Sequence, residues 1–293
     1  MKYSNKKKLE NIINKILSEP DKFFFKGIKS VYFKNLKKKI LNLSKKVFGA
    51  DGEQNILLKR IGLIQIPFFS YGNISTINLW DLEDIFLFSY YLKHKDEYVQ
   101  AYDLGANIGL HSIIFSKIGY KSVKCFEPEI KHLTEIKKNF KINKIDNVKI
   151  HKKAVYNKSK KVIFNIIHGN TQSSHILNAK KNPYGKITRY SVNSVDFKKI
   201  LPMKKKSLFK IDIENVEGVA IERTNAKNWN YFDAFIEVGD KYNAKKIFQH
   251  CRKINLNIFS HKTKWKKVKK LSDMPFSYHD GLVFLSKKNQ LKI

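Results

Sequence analysis

The chain has 293 residues, of which 42% are hydrophobic and 13% aromatic, so it can bury one large core with a smaller attached unit and is not disordered throughout. Its formal net charge of +33 is typical of nucleic-acid-binding proteins, but only four of its 58 basic residues are arginines, the side chain that favours bidentate contacts to phosphates and guanines. We therefore expect the charge to reflect a lysine-rich composition rather than a nucleic-acid partner, while attraction to anionic lipid headgroups, nucleotide sugars or acidic glycans stays open.

Residues 1–80 are predicted to form a helical N-terminal extension that caps the rest of the chain. Apolar residues recur at helical spacing over residues 9–17 and again over residues 33–48, with lysines between them, and the two helices separate near Pro20. We expect the apolar stripes to pack on the main domain, with the three phenylalanines at 23–25 as core anchors. The alternative is that these basic helices bind an anionic membrane surface or a partner.

The cellular setting is predicted from three further features. Cys125 and Cys251 lie outside any C-x-x-C or Cys/His cluster and cannot form a disulfide framework. The segment Lys6–Glu19 lacks the apolar run and cleavage site of a secretory signal, and the most apolar run, Ile85–Leu92, is much shorter than the roughly 20 residues of a membrane helix. We expect a cytoplasmic protein, with peripheral membrane contact through the basic N-terminal helices as an alternative.

From Tyr98 onward, short β-rich runs alternate with helical segments, which is typical of a parallel sheet with crossover helices. The predicted fold is an α/β domain over residues 81–293, with a seven-stranded, mostly parallel Rossmann-like sheet and helices on both faces. The predicted strands are Tyr98–Leu104, Ser122–Phe126, Val148–Val155, Ser207–Ile213, Phe232–Val238, Leu256–His261 and Gly281–Leu285. The predicted helices start near Ile108, Pro128, Glu217 and Asn243.

An inserted hairpin is predicted to lie over this sheet. β-rich runs at Val162–Ile167 and Ile187–Val195 flank a polar loop that extends from His168 to Gly185. Because such loops commonly carry substrate contacts, we expect Ser173 and Ser174 to bind a substrate or to close over it. Ordinary loop polarity is the simpler alternative.

The strongest local pattern is Y-D-L-G-A-N-I-G at Tyr102–Gly109, where a strand enters a glycine-containing turn and then a helix. Gly105 allows close backbone approach to a ligand, and Gly109 lets the following helix pack tightly on the sheet. Dinucleotide-binding turns carry G-x-G-x-x-G, whose second glycine makes room for pyrophosphate, but here Asn107 stands in that place. The turn therefore favours a ligand with an amino-acid tail, to which Asn107 can hydrogen-bond.

A second part of the pattern is the acidic residue at the end of the next predicted strand. Glu127 lies in the triplet Phe126-Glu127-Pro128, and a carboxylate in this place can accept the hydroxyl hydrogens of an adenosine ribose. The alternative is a solvated helix cap before Pro128. The two motifs together, in this order, favour a nucleoside ligand.

These segments resemble the FkbM family of methyltransferases over roughly Tyr98–Phe259. The resemblance begins with D-L-G-A-N-I-G-L-H-S at Asp103–Ser112, and its most characteristic segment is K-I-D-I-E-N-V-E at Lys210–Glu217, similar to the family's K-x-D-x-E-G-x-E. Asn215 stands where the family has glycine, and asparagine tolerates left-handed backbone angles better than other non-glycine residues. Further matches are Phe126–Pro128, Asn139–Phe140 with Asn143, Ala154–Val155, Ser173–Ser174, Ser194–Asp196 and Phe235–Val238.

The resemblance implies an S-adenosylmethionine-dependent enzyme that methylates a hydroxyl group of a sugar, lipid or small metabolite. The cofactor-binding residues that follow from the resemblance and from the two motifs are Asp103, Gly105, Asn107, Gly109, Glu127, Pro128 and Ala154.

Methyl transfer to an alcohol requires an aligned acceptor and a general base. Asp212 and Glu214 are predicted to end the fourth strand, and alternate residues of a strand share a face. We predict Asp212 as the base, Glu214 as a positioning carboxylate and Glu237, at the end of the fifth strand, as a further catalytic candidate. These carboxylates can instead hold a divalent cation that lowers the pKa of the acceptor.

The substrate-binding residues predicted beside them are His111, Ser173, Ser174 and Glu217. His111, His168 and His175 are alternative bases, although the position of His111 in the first helix favours a packing or cofactor-wall role. Glu217 is alternatively an acid in the first turn of a helix.

Two other functions remain open on sequence alone. An RNA or DNA methyltransferase would account for the charge, although the chain lacks the N/D-P-P-Y/F segment used to methylate exocyclic base nitrogens and has Asp212–Asn215 in its place. A non-catalytic protein that keeps the fold and binds membranes would account for Asn215. The identity of the methyl acceptor is set by loop contacts that no motif fixes.

Overall fold

The structure is a computed structural model that describes residues 2–71, 74–167, 175–177 and 187–292. Its α-helices are Lys2–Ser18 (α1), Asp21–Phe24 (α2), Val31–Phe48 (α3), Leu82–Lys93 (α4), Leu110–Ile118 (α5), Ile130–Ile142 (α6), Phe197–Ile200 (α7), Glu217–Ile221 (α8) and Lys241–Lys253 (α9). Its first strands are Asn55–Leu58 (β1), Gly62–Gln65 (β2), Ser70–Tyr71 (β3), Ile74–Ser75 (β4), Gln100–Leu104 (β5), Ser122–Phe126 (β6), Val148–His151 (β7) and Ala154–Tyr156 (β8). The remaining strands are Lys161–Ile167 (β9), His175–Ile176 (β10), Ile187–Asp196 (β11), Ser207–Ile211 (β12), Phe232–Glu237 (β13), Asn257–Ser260 (β14), Lys266–Lys267 (β15) and Leu282–Ser286 (β16).

The largest sheet has eight strands in the order β15-β14-β16-β13-β12-β5-β6-β7. Strands β13, β12, β5, β6 and β7 are parallel to their neighbours, and β16 enters antiparallel beside β13. This arrangement confirms the predicted α/β fold with a mostly parallel sheet. The eighth strand, the short edge pair Lys266–Lys267, was not predicted.

Alternating side chains along the strands divide the core into two halves. On β5, Ala101 lies in one hydrophobic cluster, whereas Tyr102 and Leu104 lie in the other. Helices α4, α5 and α6 contribute to the first cluster, and α8 and α9 to the second. Because successive strand residues point to opposite faces, helices cover both faces of the sheet, as predicted.

The apolar stripes of the N-terminal helices are buried in the first cluster. Ile13 of α1 and Phe48 of α3 have no exposed surface. Phe24 stacks on Trp265 with ring centroids 4.7 Å apart, and its carbonyl oxygen accepts a 3.0 Å hydrogen bond from the Trp265 indole. The predicted packing role is confirmed for these stripes, which leaves them unavailable for membrane insertion. Phe25 is 37% exposed, so its prediction as a core anchor was wrong.

The domain boundary at residue 80 stays a prediction, since buried residues from both sides of it share the first cluster. Among the described residues, no helix combines the length and apolar character needed to cross a membrane.

A smaller sheet with the order β10-β9-β11-β8 contains the predicted hairpin. Strands β9 and β11 pair antiparallel, with Val162 opposite Val192. The predicted strand Val148–Val155 was wrong as one element, because the chain turns at Lys153, whose amide donates to the carbonyl of His151 over 2.8 Å. Residues 154–156 then pair with β11 in this second sheet. Most of the polar loop, including His168, Ser173 and Ser174, lies outside the described residues.

Candidate functional site

A cleft of about 690 Å³ opens where the central parallel strands end. Gly105, Glu127, Asp212 and Glu237 line it, and they lie at or just after the carboxyl ends of β5, β6, β12 and β13. The strand order reverses its direction between β5 and β12, and the crevice at such a switch point is where open α/β sheets bind ligands. These four predicted site residues therefore meet at a position that the fold makes suitable for a ligand.

The glycine turn after β5 brings its backbone against the end of β12. Gly105 has a φ of +77°, and a β carbon built there would lie 1.8 Å from the carbonyl oxygen of Asp212. The amides of Gly105 and Ala106 both donate to the carbonyl of Phe126, at 3.0 and 3.1 Å. Glycine is therefore required both by the left-handed angle and by the contact with the neighbouring strand.

Gly109 shapes the start of the following helix rather than the cleft. It is the N-cap of α5 with a φ of +89°, and a β carbon there would lie 2.9 Å from the ring of Phe140 on α6. Gly109 is not among the residues that line the cleft. Its predicted role in helix packing fits this geometry, whereas direct contact with a cofactor does not.

Glu127 links the turns that follow β5 and β6. One carboxylate oxygen accepts a 2.9 Å hydrogen bond from the amide of Asn107, and the other accepts one of 2.9 Å from the amide of Glu129. The Nδ1 atom of His132 lies 3.5 Å from the second oxygen. Each carboxylate oxygen has two lone pairs, so Glu127 retains capacity for two further hydrogens while it is only 5% exposed.

Asn107 is held at a φ of +53°, in the left-handed region that asparagine tolerates. Its Oδ1 atom is buried and has no hydrogen-bond partner within the described part of the chain. Since Asn107 lines the cleft, it presents an unused acceptor beside the glycine turn. Pro128 and Ala154 line the same side of the cleft.

Lys210 of β12 is the cation at the centre of the site. Its ammonium donates to the carbonyl of Gly105 over 3.2 Å and to Oδ2 of Asp212 over 3.3 Å, and it lies 4.0 Å from Oδ1 of Asp103. Burial lowers the pKa of Lys210, but the carboxylates of Asp212 and Asp103 outweigh burial and raise it above its usual range. Lys210 is therefore charged, and it joins the two strands that flank the switch point.

Asp103 lies behind this lysine, outside the residues that line the cleft. It is fully buried, and its Oδ2 atom accepts a 2.7 Å hydrogen bond from Ser112 of α5. Asp103 was predicted to bind the cofactor, but this geometry places its carboxylate under the turn, where it fixes Lys210 and Ser112. The sequence pattern includes Lys210 but does not indicate this role.

Carboxylates at and just after the ends of β12 and β13 also line the cleft. Asp212, Glu214 and Glu237 all face it. Burial, together with the charges of Asp212 and Glu214, raises the pKa of Glu237 well above its usual range, and Lys210 opposes this only in part. The raised pKa favours the protonated form of Glu237, in which the carboxyl group donates a hydrogen bond rather than accepts a proton.

Asn215 stands where the FkbM pattern has glycine, and its side chain is accommodated by a neighbouring glycine, Gly239. Glu214 and Asn215 have consecutive positive φ angles of 60° and 70°. A β carbon at Gly239, two residues after Glu237, would lie 2.0 Å from Oδ1 of Asn215. The Asn215 side chain therefore occupies space over the β13 end that only a glycine leaves open.

Glu217 lies behind this loop and does not line the cleft. Its Oε1 atom accepts a 2.8 Å hydrogen bond from the amide of Ile213, and its Oε2 atom accepts one from the side chain of Asn243. Burial raises the pKa of Glu217 to about 7. Direct substrate binding by Glu217 does not fit this position, because its carboxylate is occupied in holding the loop Ile213–Val216.

The N-terminal part of the chain supplies a wall that the sequence patterns did not predict. Lys37 of α3 lines the cleft, and its ammonium lies 2.9 Å from both Asp81 and Glu83 at the start of α4. Asp84 of α4 lines it as well, and its Oδ1 atom lies 3.0 Å from Nε2 of His111. No local motif marks these residues, because they reach the cleft only through the packing of α3 and α4 on α5.

A divalent cation was raised as an option from the sequence. Within the described ranges, no group of three or more His, Cys, Asp or Glu side chains is arranged to hold a metal ion.

Comparisons with known proteins concern the fold alone. No protein-family model matches the sequence, and no curated protein matches it. A methyltransferase of Agrobacterium tumefaciens described as SAM-dependent is similar at 8% identity, over 79% of this chain and 68% of that chain, with a TM-score of 0.40. A precorrin-6y C5,15-methyltransferase of Geobacter metallireducens is 10% identical over 82% and 99% of the two chains, with a TM-score of 0.39. A ribosomal protein L11 methylase of Lactobacillus delbrueckii is 12% identical over 68% and 75%, with a TM-score of 0.37. Likenesses at this level carry no information on activity or substrate.

Proposed function

We propose that this protein is a methyltransferase that binds S-adenosylmethionine and methylates a hydroxyl group of a sugar, glycan or small metabolite. The observation that carries the proposal is the turn at Gly105, which leaves no room for a side chain and faces one cleft together with Asn107 and Glu127. We also propose, on the motif resemblance alone, that the chain is a member of the FkbM family.

The residues of the turn side fit the parts of this cofactor. The unpartnered Oδ1 of Asn107 can accept hydrogens from an amino-acid ammonium, and the spare lone pairs of Glu127 can accept those of two ribose hydroxyls. Pyrophosphate fits worse, because it would meet the Asn107 oxygen and the Glu127 carboxylate with a charge of the same sign. When bound, the cofactor supplies an electrophilic methyl group.

The carboxylates after β12 and β13 fit an uncharged or cationic acceptor with hydroxyl groups. Asp212, Glu214 and Glu237 can each hydrogen-bond a hydroxyl, and Glu237 can do so as a donor in its protonated form, which its raised pKa favours. Holding the acceptor in one orientation against the methyl group is the main contribution that such a site makes to the rate. Ser173 and Ser174, which lie outside the described residues, stay predicted acceptor contacts.

Methylation of RNA or DNA is the second candidate, and the net charge of +33 is the observation that favours it. The described lining of the cleft opposes it. Asp84, Asp212 and Glu214 would face the phosphates of a nucleic acid, whereas Lys37 and Lys210 are already paired with carboxylates.

Isothermal titration calorimetry with S-adenosylmethionine and with NADH tests the proposal. We expect the wild type to bind S-adenosylmethionine and not NADH, Gly105→Ala to lose binding, and Gly119→Ala, a glycine with nothing within 4 Å of its added β carbon, to keep it. Tritiated S-adenosylmethionine with a panel of methyl glycosides and with total RNA then separates the two acceptor classes. Absence of S-adenosylmethionine binding, combined with binding to anionic liposomes, would favour a non-catalytic membrane protein instead.

A further inference from the structure

Asp84 and Tyr91 on α4 form a hydrogen-bonded cluster with His111 on α5, and Asp84 and His111 line the cleft. The Nε2 atom of His111 lies 3.0 Å from Oδ1 of Asp84, and its Nδ1 atom lies 3.2 Å from the hydroxyl of Tyr91. The exposed fraction falls along these three hydrogen-bonded residues, from 28% for the Asp84 side chain to 11% for that of His111 and none for Tyr91. The hydrogen-bonded residues thus extend from the cleft into the core.

The buried end of the chain fixes the tautomer of the imidazole. Burial raises the pKa of Tyr91 well above its usual range, so its hydroxyl keeps its proton. Within the described residues, Nδ1 of His111 is the hydrogen-bond partner of that hydroxyl, so Nδ1 accepts the hydrogen. The hydrogen of a neutral imidazole then lies on Nε2, which donates to Asp84.

The imidazole itself has no free nitrogen for a substrate. Both of its nitrogens are engaged, and the ring of Phe88 lies edge-on at 5.1 Å. Asp84 is different, because its Oδ2 atom has no hydrogen-bond partner among the described residues and the side chain lines the cleft. His111 therefore holds one oxygen of Asp84 and leaves the other directed toward solvent or a ligand.

Asp84 faces the same space as the carboxylates that end β12 and β13. Its charge contributes to the raised pKa of Glu237 and to that of Lys210, so these groups lie within electrostatic reach of it. Of the cleft carboxylates, Asp212 is ion-paired with Lys210, and burial together with the charges of Asp212 and Glu214 raises the pKa of Glu237 well above its usual range. The ion pair weakens Asp212 as a proton acceptor and the raised pKa favours the protonated form of Glu237, whereas Asp84 hydrogen-bonds, among the described residues, to the imidazole of His111.

We propose that Asp84 is the carboxylate that removes the proton of the acceptor hydroxyl, and that His111 and Tyr91 are positioning residues that orient it. The inference rests on the proposed function. The acceptor O–H bond breaks, its proton passes to Oδ2 of Asp84, and the electron pair left on oxygen forms the bond to the methyl carbon while the sulfur–methyl pair stays on sulfur. This assigns to Asp84 the role that the sequence patterns gave to Asp212.

The first test needs no acceptor. Nitrogen-15 NMR of uniformly labelled protein, with the His111 signals assigned by their loss in His111→Phe, reports which ring nitrogen carries hydrogen. We expect the Nε2–H tautomer in the wild type and in Tyr90→Phe, which removes a buried hydroxyl from the same helix, and a mixture of tautomers in Tyr91→Phe. An Nδ1–H tautomer in the wild type overturns the proposal.

The second test measures turnover with tritiated S-adenosylmethionine and the methyl glycosides of hexoses and hexosamines. We expect kcat to fall about 100-fold or more in Asp84→Asn, with cofactor affinity by calorimetry unchanged, since general base catalysis contributes about 10²–10⁴-fold. Asp96→Asn, which removes an exposed carboxylate beyond the end of α4, is the matched control and is expected to equal the wild type. Asp84→Glu is expected to recover part of the rate.

The outcomes distinguish a failure of the assignment of Asp84 from a failure of the proposed function. Full activity of Asp84→Asn beside an active wild type overturns the assignment of Asp84 and leaves the proposed function intact. A wild type that binds no S-adenosylmethionine overturns the proposed function, and the proposal for Asp84 fails with it. A wild type that binds the cofactor and methylates only RNA contradicts the alcohol acceptor, and the role of Asp84 as its base fails as well.

Discussion

The carbonyl oxygen of Asp212 occupies the place where a side chain of Gly105 would begin, 1.8 Å from the ideal β-carbon position. The turn after β5 and the end of β12 are therefore locked to each other by backbone contact. The amide of Asp212 completes the lock by donating to the carbonyl of Leu104 over 3.0 Å. The shape of the cleft floor depends on this contact. Substitution of Gly105 by alanine, which adds one methyl group at this position, tests whether the contact exists.

Gly105→Ala is expected to destabilise the protein more than Gly119→Ala. Both glycines have positive φ, 77° and 104°, so both variants incur the left-handed cost of about 1–2 kcal/mol. Only Gly105→Ala adds a clash, of the kind that costs about 1–3 kcal/mol more. Urea denaturation of the two variants measures the difference, and equal free energies of unfolding would show that the backbones at Gly105 and Asp212 are not in contact.

Lys210→Met is expected to lower the free energy of unfolding by about 3–5 kcal/mol. The change leaves Asp103, which is fully buried with an Oδ1 atom that has no hydrogen-bond partner in the described chain, without its nearest cation. Lys124→Met, on the adjacent strand β6, is the control, because Lys124 donates only to the hydroxyl of Tyr102. Adding Asp103→Asn to Lys210→Met should recover part of the loss, and a cost no greater than that of the control would contradict the role assigned to Lys210.

The sheet could be predicted because its strands and helices follow strong periodic patterns. Ser122–Phe126 was predicted with the bounds that the structure shows, and Gly105 could be marked because a strand, a turn and a helix follow one another directly. The predicted strand Val148–Val155 was wrong because hydrophobic periodicity does not reveal the turn at Lys153. After this turn the chain enters another sheet.

The residues of the N-terminal helices that line the cleft could not be predicted, because no sequence motif contains them. Lys37 and Asp84 lie far from the motifs along the chain and reach the cleft through helix packing, which leaves no local signal. Asp103 and Glu217 show the opposite error. Their place in the motif predicted direct ligand contacts, whereas their carboxylates are buried and bind Ser112 and the amide of Ile213.

The stability of the protein is expected to fall as pH rises through the titration of Glu217. Burial raises the pKa of this carboxyl to about 7 in the folded state, above the value of 4.5 that applies to an unfolded chain. The contribution is fully present below pH 4.5 and is lost as pH rises to about 7, with a total on the order of 3 kcal/mol.

Comparison with Glu217→Gln isolates this effect. The glutamine variant does not titrate. Its carbonyl oxygen can still accept from the Ile213 amide, and the lost hydrogen bond from the Asn243 side chain costs that variant the same at every pH. The stability advantage of the wild type, from urea denaturation, should therefore shrink by about 1–3 kcal/mol between pH 5 and pH 8. An advantage that is constant or that grows over this range would refute the raised pKa.

Acid is expected to destabilise the protein through His261, which joins the N-terminal helices to the C-terminal end of the sheet. Its ring is fully buried, stacks on Trp265 at 4.9 Å and meets the edge of Phe33 at 5.4 Å. Burial lowers the pKa of His261 to about 3, from a usual value of 6.5. The stability that depends on the neutral ring is present above pH 6.5 and is lost as pH falls toward 3.

We expect the free energy of unfolding of the wild type to fall by about 1.5–2 kcal/mol relative to His261→Phe between pH 6.5 and pH 5. Both proteins carry the same carboxyl groups, so the difference between the two curves isolates the histidine. The packing cost of phenylalanine beside Gly281, whose added β carbon would lie 2.8 Å from the His261 ring, shifts the variant by the same amount at each pH. Parallel curves for the two proteins would mean that His261 takes up a proton in the folded state as readily as in the unfolded chain. That result would contradict the lowered pKa, because burial among these rings disfavours the charged imidazole.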